Sequence, residues 1–460
     1  MKYFSTRNSK LNKTFDEIII EGLAPDGGLY MPKSWPKIDI EKIIDDKNIS
    51  YSKLASTIIK NYVGGTISES ELESIAEKSY KNFTHKKIAP LKKISDNKYI
   101  LELFYGPTFA FKDYPLQIVG NLFQYYLKKK QKKITVIGAT SGDTGSAAID
   151  ACKDKDNINI FILHPYNKTS EIQRKQMTTI NSKNVFNIAI DGTFDDCQNI
   201  VKSLFISNDL KKITTLSAVN SINWARIISQ SVYFFWAYLQ CGVYNKKINF
   251  IVPTGNFGNV YAAHISGIMG LPINKLYVAT NSNDIMHRTL DNGDMSIKKV
   301  KSTISPSMDI QISSNFERQL FESLNYSSSS LTSLMNSFIK NKKITLDKNV
   351  LKNLKLYYKS KCVDDILTSE TIKEFYDNYE YISDPHTATS LNILNEISNK
   401  DINISLACAH PSKFPKSIND SIGVLPAQPR ALEEMMNIDE KFIRLKNDMD
   451  LVKDYIIKNI

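Results

Sequence analysis

The chain has 460 residues, 42% hydrophobic and 23% charged, which is the make-up of an ordinary globular protein with room for two or three domains. Its net charge of +11 is spread over short lysine runs interleaved with asparagine and isoleucine, which reads as compositional bias rather than as a polyanion-binding arm. No apolar run reaches the length of a membrane span, and the five cysteines are too far apart for a zinc motif or a disulfide framework, as expected of a reducing cytoplasm. In chain order, residues 1–95 read as a small helical module: a segment Phe15 to Gly22, a turn at Asp26-Gly27-Gly28, then amphipathic helices at Ser52 to Tyr62 and Glu69 to Phe83.

From residue 98 onward strands and helices alternate. Strands are expected at Tyr99 to Leu103, Ile134 to Gly138, Ile158 to Leu163, Val185 to Ile190, Ile213 to Leu216, Ile248 to Val252 and Lys275 to Thr280. Helices are expected at Asp113 to Leu127, Thr144 to Lys153, Ser170 to Ile180, Phe194 to Ile206, Ile222 to Gln240 and Gly258 to Met269. This alternation predicts an α/β fold with two parallel-type sheets and flanking helices. Residues 296–345 are serine-rich and expected to form loops and short helices, followed by three helices and a strand at Ile402 to Cys408.

Four loops follow predicted strands, where parallel sheets gather ligands. In the first, Lys112 stands among Phe109, Ala110 and Phe111 just ahead of a helix, with Asp113 in its first turn. An apolar collar and a helix N-terminus both disfavour an ammonium ion there, as suits an amine that attacks an aldehyde. A surface lysine whose stem lies along apolar neighbours is the plain alternative. The second loop, Gly138 to Ser146, offers hydroxyls and amides to a carboxylate or phosphate, or else simply caps its helix through Ser141 or Asp143. The third, Pro253 to Asn259, has two glycines that let backbone amides turn toward an anion, or it is a tight turn and nothing more. The fourth brings Asn220, Ser221 and Arg226 to a helix start, which suits a phosphate monoester or, alternatively, an N-cap beside a surface arginine.

Taken together and in order, GLAPDGGLYMP, ELFYGPTFAFKD, ATSGDTGSAA, NSINWAR, PTGNFGN, SDPHTA and AHPSKFP resemble the threonine synthase family. These are pyridoxal-phosphate enzymes of the tryptophan-synthase-β-like fold (fold type II), and the resemblance covers nearly the whole chain. It implies conversion of O-phospho-L-homoserine and water to L-threonine and phosphate by γ-elimination and β-addition, with pyridoxal 5'-phosphate as cofactor and no metal. Lys112 matches the Schiff-base lysine; Gly255, Asn256, Phe257, Gly258 and Asn259 match the loop that cradles the cofactor phosphate. Thr140, Ser141, Asp143 and Thr144 match the loop at the substrate carboxylate, and Asn220, Ser221 and Arg226 match the grip on the substrate phosphate. Two positions depart from the family pattern. Cys408 replaces the threonine whose hydroxyl faces the pyridine nitrogen, and a thiol is the weaker partner. Asp143 stands where relatives carry an asparagine near the ring oxygen; it would repel a phenolate unless protonated or screened, and is read first as a helix cap. His386 and His410 are read as structural.

The division implied is an N-terminal module (1–95), a cofactor-binding α/β core (96–345, with a smaller subdomain around 131–210) and a C-terminal part (346–460) completing the larger domain. A cytoplasmic monomer or homodimer acting on a small molecule, away from nucleic acid and membrane, completes the expectation. The alternatives are another lyase of the same fold, such as a threonine or serine deaminase, and a basic nucleic-acid-binding protein.

Overall fold

The computed structural model describes every residue except Ser141, Val219, Asn245 and Asn399. Two parallel sheets organise it. The larger runs in the order Tyr358–Cys362, Ile273–Thr280, Ile248–Pro253, Ile402–Ala407, Lys98–Glu102 and Leu91–Ser95, parallel throughout except for the last pair. Its central strands, Ile248–Pro253 and Ile402–Ala407, are buried at every residue, because helices cover both faces of a parallel sheet. The polar side chains they carry are paired inside: Asn249 Nδ2 donates to Asn403 Oδ1 at 2.9 Å, and the Ser405 and Ser390 hydroxyls bond at 2.7 Å. The smaller sheet is wholly parallel, in the order Ile443–Lys446, Val185–Asp191, Ile158–Pro165, Ile134–Ala139 and Thr215–Ser217.

Several elements differ from expectation. The strand predicted from Ile213 begins only at Thr215, because Asn208–Ile213 forms a short helix that leaves Ile213 exposed. The N-terminal segment adds to its helices a three-stranded antiparallel sheet of Asn8–Lys13, Tyr3–Ser5 and Tyr30–Pro32. Within the serine-rich stretch, Ser327 caps a helix of full length, Ser328–Asn341, by accepting from the Ser330 amide. The strands Tyr358–Cys362 and Ile402–Ala407 lie in the larger sheet, but Ile443–Lys446 pairs with Val185–Asp191 in the smaller one. Behind it Val452 and Ile456 of the last helix are fully buried against Leu204 and Leu210.

The two sheets meet across the helices Asp113–Lys129 and Asp143–Cys152. They approach so closely at Gly120 that a Cβ there would fall 2.3 Å from the Ala151 carbonyl oxygen. This contact brings the loop after Ile134–Ala139, in one sheet, up to the loops after Lys98–Glu102, Ile248–Pro253 and Ile402–Ala407, which are neighbours in the other.

Candidate active site

The loop that carries Lys112 is laced to the end of the Ile402–Ala407 strand. The Leu103 amide donates to the Ala407 carbonyl (3.0 Å), the Phe111 amide to the Cys408 carbonyl (2.8 Å) and the His410 amide to the Phe109 carbonyl (3.0 Å). Within the loop, the carboxylate of Asp113 accepts from the amide (2.8 Å) and hydroxyl (2.6 Å) of Thr108. Burial pushes Asp113 up to about 7 despite these donors. Lys112 is therefore presented at a helix start from a backbone fixed on both sides. It is only 8% exposed, and its Nζ lies 5.0 Å from the Phe111 ring centre.

Asp143 faces it. One carboxylate oxygen is 3.3 Å from Lys112 Nζ; the other is 2.7 Å from Lys413 Nζ and accepts from Gln173 Nε2 at 2.8 Å. Ser307 Oγ adds a longer contact of 3.4 Å. Burial alone would raise this carboxyl, but Lys413 and Lys112 together hold it well below the usual carboxylate range. The expectation that Asp143 is first a helix cap is thus corrected. Thr140 does that work, its Oγ1 accepting from the amides of Gly142 (3.0 Å) and Gly145 (3.0 Å), which frees the Asp143 side chain for the lysines. The screening that an aspartate would need beside a phenolate is available from Lys413, whose Nζ lies 2.7 Å from the carboxylate.

Thr140 is buried and committed to its own loop, Thr144 is half-buried in the first helical turn, and Ser141 lies outside the described residues. Lys413 was missed by sequence reasoning although it sits in the AHPSKFP motif. Its side chain is fully buried, and it also donates to the Thr108 carbonyl at 2.8 Å, tying the Lys112 loop to the loop after Ile402–Ala407. Gln173 and Ser307 gave no sequence signal.

The glycine turn has the geometry of an anion cradle. Ser313 Oγ donates to the Gly255 carbonyl (2.7 Å), and the Asn315 amide (3.1 Å) and Nδ2 (3.0 Å) both donate to the Asn256 carbonyl. Across a trans peptide the N–H opposes the C=O, so the Asn256 and Phe257 amides point away from Ser313 and Asn315, just ahead of Gly258–Ile268, whose first amides have no partner within the helix. Phe257 takes a left-handed conformation (φ 59°) to make this turn, anchored edge-on against Phe316 at 5.1 Å. Asn259 receives the Tyr233 hydroxyl at 2.5 Å, while its buried Nδ2 has no protein partner among the described residues. Amides on one side, an open amide donor and a buried lysine fit the phosphate and aldehyde of pyridoxal phosphate.

Around NSINWAR the helix starts later than expected. Asn223, not Asn220 or Ser221, is the cap of Trp224–Cys241, its side chain accepting from the Ala225 amide (3.0 Å) and donating to the Ile19 carbonyl (2.9 Å). Asn220 is exposed and Ser221 half-buried. Arg226, in the first turn of that helix, is not on the surface: it is 3% exposed, and burial draws it down to about 10, so it remains a cation at neutral pH.

His386 donates from Nδ1 to Asp384 (2.9 Å) and accepts at Nε2 from the Ser307 amide (3.0 Å), so both ring nitrogens are occupied in holding neighbouring loops. Burial holds His410 down to about 4 and therefore neutral. Cys408 is buried at the end of its strand, its amide donating to Thr387 Oγ1 (2.9 Å). Burial first, then Asp384, pushes its thiol well above the ordinary cysteine value, so it stays protonated.

Comparison with known proteins agrees with this geometry. Residues 2–80 match the family model described as threonine synthase N terminus, 88–348 that of pyridoxal-phosphate dependent enzyme, and 387–456 that of threonine synthase, C-terminal. The chain is 41% identical to a threonine synthase of Pseudomonas aeruginosa, over 99% of its own length and 98% of that protein's. It is 40% identical to that of Saccharomyces cerevisiae, over 99% and 97%. A crystal structure of pyridoxal-phosphate-bound threonine synthase from Brucella melitensis superposes with a TM-score of 0.97 at 39% identity, covering 100% of this chain and 99% of that one. On these matches, end to end and in all three segments, the chain belongs to the threonine synthase family of pyridoxal-phosphate dependent enzymes.

Proposed function

We propose that the chain converts O-phospho-L-homoserine and water to L-threonine and inorganic phosphate. The observation that carries this reading is the buried Lys112 amine beside Asp143, on a loop at the same end of the larger sheet as the glycine turn after Ile248–Pro253. When bound, pyridoxal phosphate supplies the electron sink that acidifies substrate Cα–H and Cβ–H bonds and lets a γ-substituent depart. Gly255, Asn256, Phe257, Gly258 and Asn259 would hold its phosphate, and Lys112 its aldehyde.

Lys112 is assigned the proton transfers at substrate Cα and Cβ, since it is the amine placed at the cofactor aldehyde. Asp143 orients Nζ and carries a charge that Lys413 balances whatever the state of Lys112. Cys408, kept neutral by burial, offers the ring nitrogen only a weak partner. Arg226 supplies a fixed buried cation for the substrate phosphate, in the ground state and as it departs. Thr140 holds the 140–145 loop in shape for the substrate carboxylate. The burial of Lys112, Asp143 and Cys408 keeps bulk water from the reacting carbons until the addition step.

A deaminase of the same fold handles substrates without phosphate and has no use for a buried cation at Arg226. Phosphate and threonine released together from O-phospho-L-homoserine, with no ammonia, support the synthase reading; ammonia from threonine or serine contradicts it. Five free cysteines accord with a cytoplasmic setting, and no helix among the described residues is long and apolar enough to cross a membrane. We assign the active form as a monomer or homodimer.

A further inference from the structure

Asn315 lies between the two loops assigned to phosphate groups and bonds to both. Its Nδ2 donates to the Asn256 carbonyl (3.0 Å) in the glycine turn and to the Ser221 carbonyl (3.1 Å) in the NSINWAR loop. Its backbone amide adds a second bond to the Asn256 carbonyl at 3.1 Å. The orientation of the side-chain amide follows from Arg318, which can only donate and bonds Asn315 Oδ1, so the NH₂ must face the two carbonyls.

Arg318 is itself immobilised. It is fully buried, donates to the carbonyls of Ile222 (2.7 Å) and Tyr30 (3.1 Å), and lies 5.4 Å from the Trp224 ring centre and 6.0 Å from that of Tyr261. The pair therefore joins the glycine turn, the NSINWAR loop and the N-terminal sheet. In each loop the bonded carbonyl turns the following amide, of Phe257 or of Ile222, to the opposite side of its peptide plane. Two carbonyl oxygens drawn to one NH₂ group would repel each other without it.

We propose that Asn315, locked by Arg318, is a positioning residue that holds the 255–259 and 220–226 loops in register, so that both phosphate sites depend on one side chain. The inference rests on the proposed reading of those loops as phosphate sites.

The test uses Asn315→Asp, which keeps size and the acceptor for Arg318 but loses both donors. Two affinities are measured: pyridoxal phosphate for the apoprotein, and inorganic phosphate for the loaded protein. The expected result is at least about a fivefold loss in each. Ser313→Ala, which removes only the bond to the Gly255 carbonyl, should weaken pyridoxal phosphate and leave inorganic phosphate within about twofold. A lowered melting point with either affinity unchanged in Asn315→Asp overturns the proposal. Should that variant fail to fold, Arg318→Lys, which keeps the charge and loses the fork, is judged by the same two affinities. Wild-type protein that binds no pyridoxal phosphate would instead refute the reading of the site itself.

Discussion

Asp143→Asn removes a carboxylate that faces two buried ammonium groups. At an effective permittivity of about 20, pairs at 2.7 Å and 3.3 Å are worth roughly 6 and 5 kcal/mol. Repulsion between the two lysines and the desolvation of all three groups offset most of that attraction. Breaking a buried pair from one side nonetheless costs about 3–5 kcal/mol, because the partner charge is left uncompensated. That is a large part of the roughly 5–15 kcal/mol by which folded domains are stable. Urea unfolding of the apoprotein at pH 7 should therefore show a loss of about 3–5 kcal/mol in the variant. The dependence on pH has a definite sign. The folded carboxyl is held below its unfolded value, so its contribution is present above about pH 4 and lost as pH falls through the folded value. The gap between wild type and variant should narrow below about pH 4. A loss under about 1 kcal/mol at pH 7, or a gap unchanged in acid, would refute the idea that this carboxylate neutralises the lysines.

Asp113 behaves in the opposite sense: its folded value is raised to about 7, so its stabilising contribution is full below about pH 4 and lost as pH rises through 7. Asp113→Asn should flatten that neutral limb of the stability profile, and a profile identical to wild type counts against the assignment. Arg226→Ala should raise KM for O-phospho-L-homoserine by about tenfold or more, the worth of a charge-assisted bond; an unchanged KM removes Arg226 from the phosphate site. Gly106→Ala would place a Cβ 2.4 Å from that of Asp113. It should cost about 1–3 kcal/mol of stability and loosen the Lys112 loop, seen as a lower melting point and weaker retention of pyridoxal phosphate. Wild-type values for both would show that the loop tolerates the change.

The parts legible from sequence were those with a local cause. Strands such as Ile248–Pro253 and Ile402–Ala407 stand out as short segments rich in aliphatic and β-branched residues, and the glycine turn at 255–258 announces itself by composition. Strands of three residues, as at Tyr3–Ser5, are too short to display a period of two. Ile443–Lys446 finds its partner far back along the chain, which no window of sequence contains. Lys413 illustrates the same limit in the site: its motif was visible, but its role exists only because packing carries it to Asp143. The misreading of Asp143 came from a competition hidden in the sequence. Thr140 and Asp143 are both good caps, and the threonine won because the aspartate had two lysines to neutralise. Asn315 lies in an irregular serine-rich stretch where periodicity is silent.

The most direct measurement compares wild type with Lys112→Ala, each reconstituted with pyridoxal phosphate and given O-phospho-L-homoserine. Wild type should show a visible absorbance band and release threonine and phosphate in equal amounts, and the variant should show neither. Retention of both band and turnover by Lys112→Ala would mean that another amine carries the chemistry.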